Sequence, residues 1–223
     1  MRNQRIFDDV MFSDESLFTN KGLFNRHNTR MWEAANPHWV QFRQRYTFSV
    51  MVWGGIIGTR VIGPYFFEEN INGEVYANFI TEELPRLLAE ANVPPQVRQR
   101  MIFQHDGAGP HRDLRVIQLL DENYPNRWMG NGGPIPWPPY SPDLTCLDFF
   151  LWGYVKEYVY NNSPRNEEHL RELITEGFAR VTVQQLRRVQ NSFIERIQLC
   201  IDLEGDTFEN IIKCKACNYL KEM

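Results

Sequence analysis

The chain has 223 residues, of which 43% are hydrophobic and 23% charged, with a formal net charge of −4. This length and composition are typical of one globular domain with a sizeable core. Four cysteines form no disulfide framework, which favours a reducing compartment. No apolar run approaches the ~18 residues that span a bilayer, and residues 1–10 lack the apolar core of a secretion signal. We therefore expect no membrane partner.

The first part of the chain predicts a sheet with a hairpin. Residues 9–13 are expected to form a short strand that ends at Asp14, and residues 20–45, which are polar and contain four arginines, an irregular loop or hairpin. Residues 46–57 and 61–67 are β-branched and aromatic, and the glycine-containing turn between them predicts a β-hairpin.

The middle of the chain alternates helices and strands. Asn72 is expected to cap a helix that Pro85 kinks or interrupts. Residues 101–106 (MIFQHD) predict a buried strand, and a helix from about residue 110 to residue 123 should follow it. Residues 135–137 predict a short edge strand, because proline is excluded from central ones.

The last part of the chain predicts helices only. These cover residues 147–160, 166–180 and 183–203, with Gly205 as the stop signal of the last. Strands first, then alternation, then helices indicate an α/β fold: a mixed sheet flanked by helices, with extra C-terminal helices.

Three carboxylates fall at predicted element boundaries: Asp14 and Asp106 at strand ends, and Asp148 at a helix start. If the two strands are neighbours, their carboxyl ends bring Asp14 and Asp106 together, where ligands of α/β sheets bind. Like charges at close range raise one another's pKa, and two Mg²⁺ ions about 3.5–4 Å apart would compensate them. Ligation by carboxylates alone favours Mg²⁺ or Mn²⁺ over zinc. On spacing alone, the alternative is that these are ordinary turn and cap residues.

Three short sequence segments narrow this choice: FSDES at 12–16, QHDGAGPH at 104–111 and YSPDLTCLDFFLWG at 140–153. In their order, spacing and amino-acid sequence they resemble motifs of the catalytic domain of mariner-type transposases. The resemblance covers about residue 7 to residue 212. The resemblance implies a ribonuclease H-like fold, and a metal-dependent activity that cleaves DNA at transposon ends and joins the 3′-hydroxyl to target DNA. It also implies that the third acid is Asp148 rather than Asp143.

The resemblance carries further expectations. Two Mg²⁺ (or Mn²⁺) ions held by the three acids, DNA as the partner, a homodimer and a nuclear location are all implied. Residues 1–223 are expected to form a single catalytic domain, with the family's N-terminal helix-turn-helix DNA-binding region absent. The gap between the second and third acids exceeds the family's commonest one, which we attribute to an insertion-like stretch at residues 128–134. Cys146 stands where the family usually has proline, and Gly109 where it has a bulkier residue or proline.

Basic residues near the acids are candidates for contact with DNA phosphates, although each alone is more simply a solvated side chain. His105 is expected to flank the site. The candidates are Arg26, Arg30, Arg43, Arg45, Arg60, His111, Arg112 and Arg115.

Four other interpretations compete with this one. The chain could be a decayed or host-adopted copy that serves as a DNA-associated or interaction module without catalysis. It could be a ribonuclease H-like nuclease unrelated to transposition, acting on RNA–DNA hybrids. His105, Asp106 and His111 could form a zinc hydrolase cluster, but their spacing matches no zinc motif. Cys214 and Cys217 resemble half a zinc knuckle whose second half is missing.

Overall fold

The computed structural model describes residues 8–20, 48–138, 141–206 and 208. In these ranges six strands form one mixed sheet with the order β3-β2-β1-β4-β5-β6. β1, β2 and β3 are antiparallel, whereas β1, β4, β5 and β6 run parallel. The strands are β1 (Val10–Thr19), β2 (Ser49–Ile57), β3 (Arg60–Phe67), β4 (Ile102–Gln104), β5 (Trp128–Gly130) and β6 (Ile135–Pro136).

Seven α-helices lie in the described part of the chain, and shorter turns of other helix types interrupt or precede several of them. The α-helices are α1 (Gly73–Asn78), α2 (Leu84–Glu90), α3 (Pro95–Arg100), α4 (Leu114–Asn123), α5 (Trp152–Asn161), α6 (Glu167–Ala179) and α7 (Val183–Asp202). π-Helical turns cover Phe79–Glu83 and Leu147–Leu151, and 3₁₀ turns cover Pro110–Arg112 and Pro142–Leu144.

Two hydrophobic clusters bury the two faces of the sheet. Because side chains of a strand alternate between faces, Phe12 of β1 packs with α5, α6 and α7, while Met11 packs with α1, α2 and α4. The sheet is therefore covered by helices on both sides, and the mixed α/β prediction is confirmed. Among the described residues, none of the helices combines the length and the apolar character that crossing a membrane requires.

Most predicted elements are confirmed. The hairpin of β2 and β3 turns at Gly58, whose φ of +54° suits a residue without a Cβ. The side chain of Asn72 caps α1 by accepting hydrogen bonds from the backbone of Glu74 and Val75. The expected interruption at Pro85 is present as the π-helical turn that precedes α2. The C-terminal helices lie within about one residue of their predicted bounds.

Four details differ from the prediction. β1 does not end at Asp14 but continues to Thr19, because its whole length pairs with β2. Residues 128–130, taken as part of an insertion, form β5 inside the sheet, with Trp128 fully buried. Residues 95–100, for which no element was predicted, form the short helix α3. The helix expected from about residue 110 begins at Leu114, whose side chain is 73% exposed, because residues 110–112 form a separate 3₁₀ turn.

The predicted loop at residues 20–45 lies, apart from Asn20, outside the described residues. The same holds for Arg26, Arg30, Arg43 and Arg45, and for the cysteine pair at 214 and 217.

Candidate active site

The parallel pairing of β1 with β4 brings the first two acids to the same level of the sheet. Phe12 is in register with Gln104, so Asp14 and Asp106 each lie two residues beyond the last paired position. The hydroxyl of Ser13 donates a hydrogen bond of 2.6 Å to the carbonyl of Gln104 and ties the strands together there. Asp14 therefore lies in the middle of the pairing between β1 and β2, but beyond the end of the pairing between β1 and β4.

Asp14 lies under an indole ring supplied by the third sequence segment. Trp152 Nε1 donates a hydrogen bond of 2.7 Å to Oδ2 of Asp14. The ring fits because Gly54 is the β2 residue opposite Asp14, and a Cβ there would lie 3.0 Å from the Trp152 side chain. Trp152 is buried in the core and also contacts a candidate ligand.

Asp148 is exposed at the start of the π-helical turn that leads into α5, as predicted for a helix start. Its backbone N–H donates to the carbonyl of Thr145 over 3.0 Å. Cys146, which replaces the family's usual proline, is buried just before this turn with a φ of −66°, an angle that proline also adopts. The helix start therefore keeps its geometry without the proline.

Electrostatic interactions couple Asp148 to both of the other acids. Burial raises the pKa of Asp14 to about 8, with added contributions from the charges of Glu15 and Asp148. Partial desolvation raises the pKa of Asp148 to about 6, and the charge of Asp106 contributes to the shift. The negative charges are thus close enough to be mutually unfavourable, as expected of a site that a divalent cation would neutralise.

In the part of the chain that the structure describes, Lys156 is a basic side chain that interacts with this cluster. Burial lowers the pKa of Lys156, while the charges of Asp14 and Asp148 oppose that shift. Its Nζ lies 5.3 Å from the centre of the Phe18 ring. Lys156 comes four residues after Trp152 on α5, so the helical repeat that brings the indole to Asp14 brings this cation too. Sequence reasoning missed it.

The carboxylate of Asp106 is held by hydrogen bonds from residues that follow it in the chain. Its Oδ1 accepts hydrogen bonds from the backbone N–H of Ala108 at 2.9 Å and from Nδ1 of His111 at 2.7 Å. Burial opposes ionisation of Asp106, but the His111 hydrogen bond and charge bring its pKa below the usual value. Asp106 therefore differs from Asp14 and Asp148, because its pKa is lowered rather than raised and because His111 holds its carboxylate.

His111 lies between two carboxylates. On its far side, Nε2 is 3.3 Å from Oε2 of Glu15. Burial alone would lower the pKa of His111, but the charge of Glu15 and the hydrogen bonds to both carboxylates raise it to about 10. The ring is only 2% exposed, so the expected role of His111 as a phosphate contact has no support in this geometry.

His105 is buried behind the site and carries no charge. Burial holds its pKa well below the usual value, and neither ring nitrogen has a hydrogen-bond partner among the described residues. Its ring stacks on His111 with the centroids 4.7 Å apart. Burial of both rings leaves no open coordination position, which argues against the zinc hydrolase cluster.

The donor set fits a hard divalent cation, since it consists of carboxylate oxygens. Within the ranges that the structure describes, no three His, Cys, Asp or Glu side chains are close enough to bind one ion as they stand. Oδ2 of Asp14 is engaged by Trp152 and Oδ1 of Asp106 by His111. Binding a cation would therefore draw the acids together by side-chain movement.

The remaining candidates differ in their surroundings. Arg112 donates from Nε to the carbonyl of Gly107 at 2.8 Å, next to Asp106. Arg115 instead pairs with Asp113 at 2.9 Å and with Glu74 at 3.3 Å. Arg60 begins β3, at the edge of the sheet that is remote from β4. The 3₁₀ turn Pro142–Leu144 contains Asp143, whose carbonyl accepts a hydrogen bond from Arg196.

The fold has relatives of known structure. The Mos1 transposase paired-end complex with left transposon end superposes with a TM-score of 0.71 at 20% identity, over 93% of this chain and 59% of that one. The Mos1 transposase catalytic domain with raltegravir superposes with a TM-score of 0.68, both with Mg (19% identity, 93% of this chain and 89% of that one) and with Mn (21%, 93% and 88%).

In sequence, the chain is 24% identical over 214 residues to the human histone-lysine N-methyltransferase SETMAR. That match covers 93% of this chain but only 29% of the relative, so the activity in the relative's name describes a much longer protein. No family model matches the chain. The structural similarity confirms the expected resemblance: the chain has the ribonuclease H-like fold of the mariner transposase catalytic domain.

Proposed function

We propose that this chain is a transposase-type catalytic domain that cleaves DNA phosphodiesters at transposon ends and joins the freed 3′-hydroxyl to target DNA. The observation that carries the proposal is the electrostatic coupling of Asp148 to the other two acids: its charge adds to the raised pKa of Asp14, and the charge of Asp106 adds to its own raised pKa. Support comes from structural relatives solved with Mg, with Mn and with transposon DNA. Recognition of DNA by this chain, in the nucleus and as a homodimer that brings two ends together, belongs to the same proposal.

The three acids would act together as metal ligands. Asp14, Asp106 and Asp148 would hold two Mg²⁺ or Mn²⁺ ions. When bound, the ions would activate a water or 3′-hydroxyl and stabilise the leaving oxygen. Asp14 has to release its proton first, because its pKa of about 8 keeps it largely protonated at neutral pH. Trp152 then offers an N–H to the resulting carboxylate.

In this proposal, the ammonium group of Lys156 offsets part of the negative charge of Asp14 and Asp148. Both carboxylates interact electrostatically with this side chain. In the proposed reaction it remains near a phosphate bound between those acids, where an ammonium group is a suitable partner.

The proposal is tested by nicking of double-stranded DNA that carries the element's ends. Asp106→Asn and Asp148→Asn should reduce Mg²⁺-dependent nicking to background, with circular dichroism and thermal unfolding unchanged. The matched control is Asp143→Asn, an acid of the same segment that the resemblance excludes as a ligand, and it should keep most of the activity. Undiminished nicking by Asp106→Asn would overturn the assignment.

The same assay separates the alternatives. A host-adopted module without catalysis would bind DNA but show no nicking in Mg²⁺ or Mn²⁺. A nuclease unrelated to transposition would cleave an RNA–DNA hybrid in preference to DNA. The joined product, a transposon end linked to target DNA, is expected only of the transposase.

A further inference from the structure

The Asp106 carboxylate is only half enclosed. Its side chain is 47% exposed, whereas the His111 side chain behind it is 2% exposed. Oδ1 receives both the Ala108 and the His111 hydrogen bonds, and no described residue donates to Oδ2. One oxygen is thus fixed by hydrogen bonds from the protein, and the other is left without a donor among the described residues.

His111 is itself immobilised by contacts on several sides. Its second nitrogen meets Glu15, whose side chain is 11% exposed. Its ring lies 4.3 Å from the ring of Tyr76 and 4.7 Å from that of His105, centroid to centroid. A ring that donates from both nitrogens and is packed between aromatic neighbours has little freedom to turn.

Glu15 follows Asp14 directly on β1, so the two side chains point to opposite faces of the sheet. Asp14 meets Trp152 on one face, while Glu15 meets His111 on the other. The strand that carries the first acid therefore also anchors the residue that orients the second.

We propose that His111, anchored by Glu15, is a positioning residue that sets the Asp106 carboxylate for divalent-cation binding. The inference rests on the proposed function, because it assigns Asp106 to a cation. It predicts that loss of His111 weakens cation binding even where the fold is intact. Partners of metal ligands of this kind contribute about 10–100-fold to metal affinity or activity.

The test measures Mn²⁺ binding to the full chain without DNA, by electron paramagnetic resonance of the free ion. His111→Ala should weaken Mn²⁺ binding by about 10–100-fold, and Glu15→Gln by a smaller factor, because the ring keeps its hydrogen bond to Asp106. His111→Asn keeps a donor near the position of Nδ1 and should recover most of the affinity. His169→Ala on α6, where the ring accepts hydrogen bonds from Arg165, should leave Mn²⁺ binding unchanged.

A second measurement separates positioning from a structural role. Nicking is followed as a function of Mn²⁺ concentration, at a temperature well below the unfolding midpoint of each variant. A positioning role shifts the Mn²⁺ concentration of half-maximal rate and leaves the rate at saturation nearly unchanged.

Three outcomes would overturn the inference. If His111→Ala folds and binds Mn²⁺ as the unaltered chain does, the positioning role is wrong while the proposed function stands. If His111→Asn, which keeps the donor, binds as weakly as His111→Ala, the hydrogen bond to Asp106 is not the cause. If the unaltered chain binds no Mn²⁺ and nicks no DNA, both the inference and the proposed function fail.

Discussion

Trp152 and Asp14 are joined by a hydrogen bond of 2.7 Å between the indole Nε1 and Oδ2 of the carboxylate, across 138 positions of the chain. It links the helix that follows Asp148 to the central strand of the sheet. The bond therefore holds the helix that follows Asp148 against the strand that carries Asp14. Gly54 provides the space that the indole occupies.

Trp152→Phe removes this donor and keeps an aromatic ring. At pH 9, where Asp14 is ionised, we expect a loss of about 1.5–3 kcal/mol in the free energy of unfolding beyond the effect of the smaller ring, as for hydrogen bonds to charged groups. The control is Trp53→Phe, because the buried Nε1 of Trp53 has no partner among the described residues. Urea unfolding measures both, and equal losses would show that the hydrogen bond contributes nothing.

Gly54→Ala tests the packing on which that bond depends. The new Cβ would lie 3.0 Å from Trp152 and 3.1 Å from Phe178, so one ring has to move. We expect a destabilisation of about 1–3 kcal/mol and weaker nicking. Gly153→Ala is the matched control, since its Cβ meets nothing within 4 Å and alanine favours the helix by roughly 0.5–1 kcal/mol. A neutral Gly54→Ala would contradict the close approach.

The pH dependence of stability should follow from Asp14. Its pKa is about 8 in the folded chain against a usual value near 4, so the folded state binds this proton more tightly. The resulting stabilisation is complete below about pH 4 and is lost as the pH rises to about 8. Relative to Asp14→Asn, which cannot ionise, the unaltered chain should lose on the order of 2–4 kcal/mol between pH 5 and pH 8.

This comparison is made by urea unfolding in the presence of a chelator. Parallel pH curves for the two proteins would mean that Asp14 is not perturbed. Added Mg²⁺ should flatten the curve of the unaltered chain only, because a cation replaces the proton.

Arg112 and Arg115 should contribute unequally to DNA binding. The charge of Arg115 is already paired with Asp113 and Glu74, whereas Arg112 contacts only a carbonyl among the described residues. Arg112→Ala should lower the slope of log affinity against log salt by about 0.9, as expected for one lost phosphate contact. Arg115→Ala should change the slope by less than half of that. Fluorescence anisotropy at several salt concentrations measures this, and equal slopes for the two variants would refute it.

The arrangement of elements was largely predictable because each has a local signal. Asn72 marks a helix start, Pro85 an interruption, and the β-branched residues around Gly58 a hairpin. β5 was missed because three residues flanked by glycines and a turn carry too little pattern, and its place in the sheet comes from pairing with β4. The end of β1 was placed too early because the antiparallel partner that extends it lies far along the chain.

The candidate acids could be predicted from sequence, but the residues that support them could not. Glu15 and His111 stand inside the segments that carry the resemblance, yet their pairing depends on strand alternation and on the turn after Asp106. Trp152 and Lys156 have no sequence signal that sets them apart from other helix residues, and their interactions with Asp14 arise only from the packing of α5 against β1. Contacts between side chains distant in sequence leave no local pattern, so only the packed structure reveals them.

The π-helical turn at Leu147–Leu151 fixes the angle between Asp148 and Trp152. Its wide hydrogen bond, from the Trp152 N–H to the Leu147 carbonyl, accommodates one residue more than an α-helical turn. Deleting a residue there would restore α-helical spacing and rotate Asp148 by about 100° relative to α5. The aspartate would then face away from Asp14 while remaining unchanged in the sequence. Activity should therefore require the length of this turn as well as Asp148 itself. A relative with a one-residue deletion here should be inactive even though it retains all three aspartates.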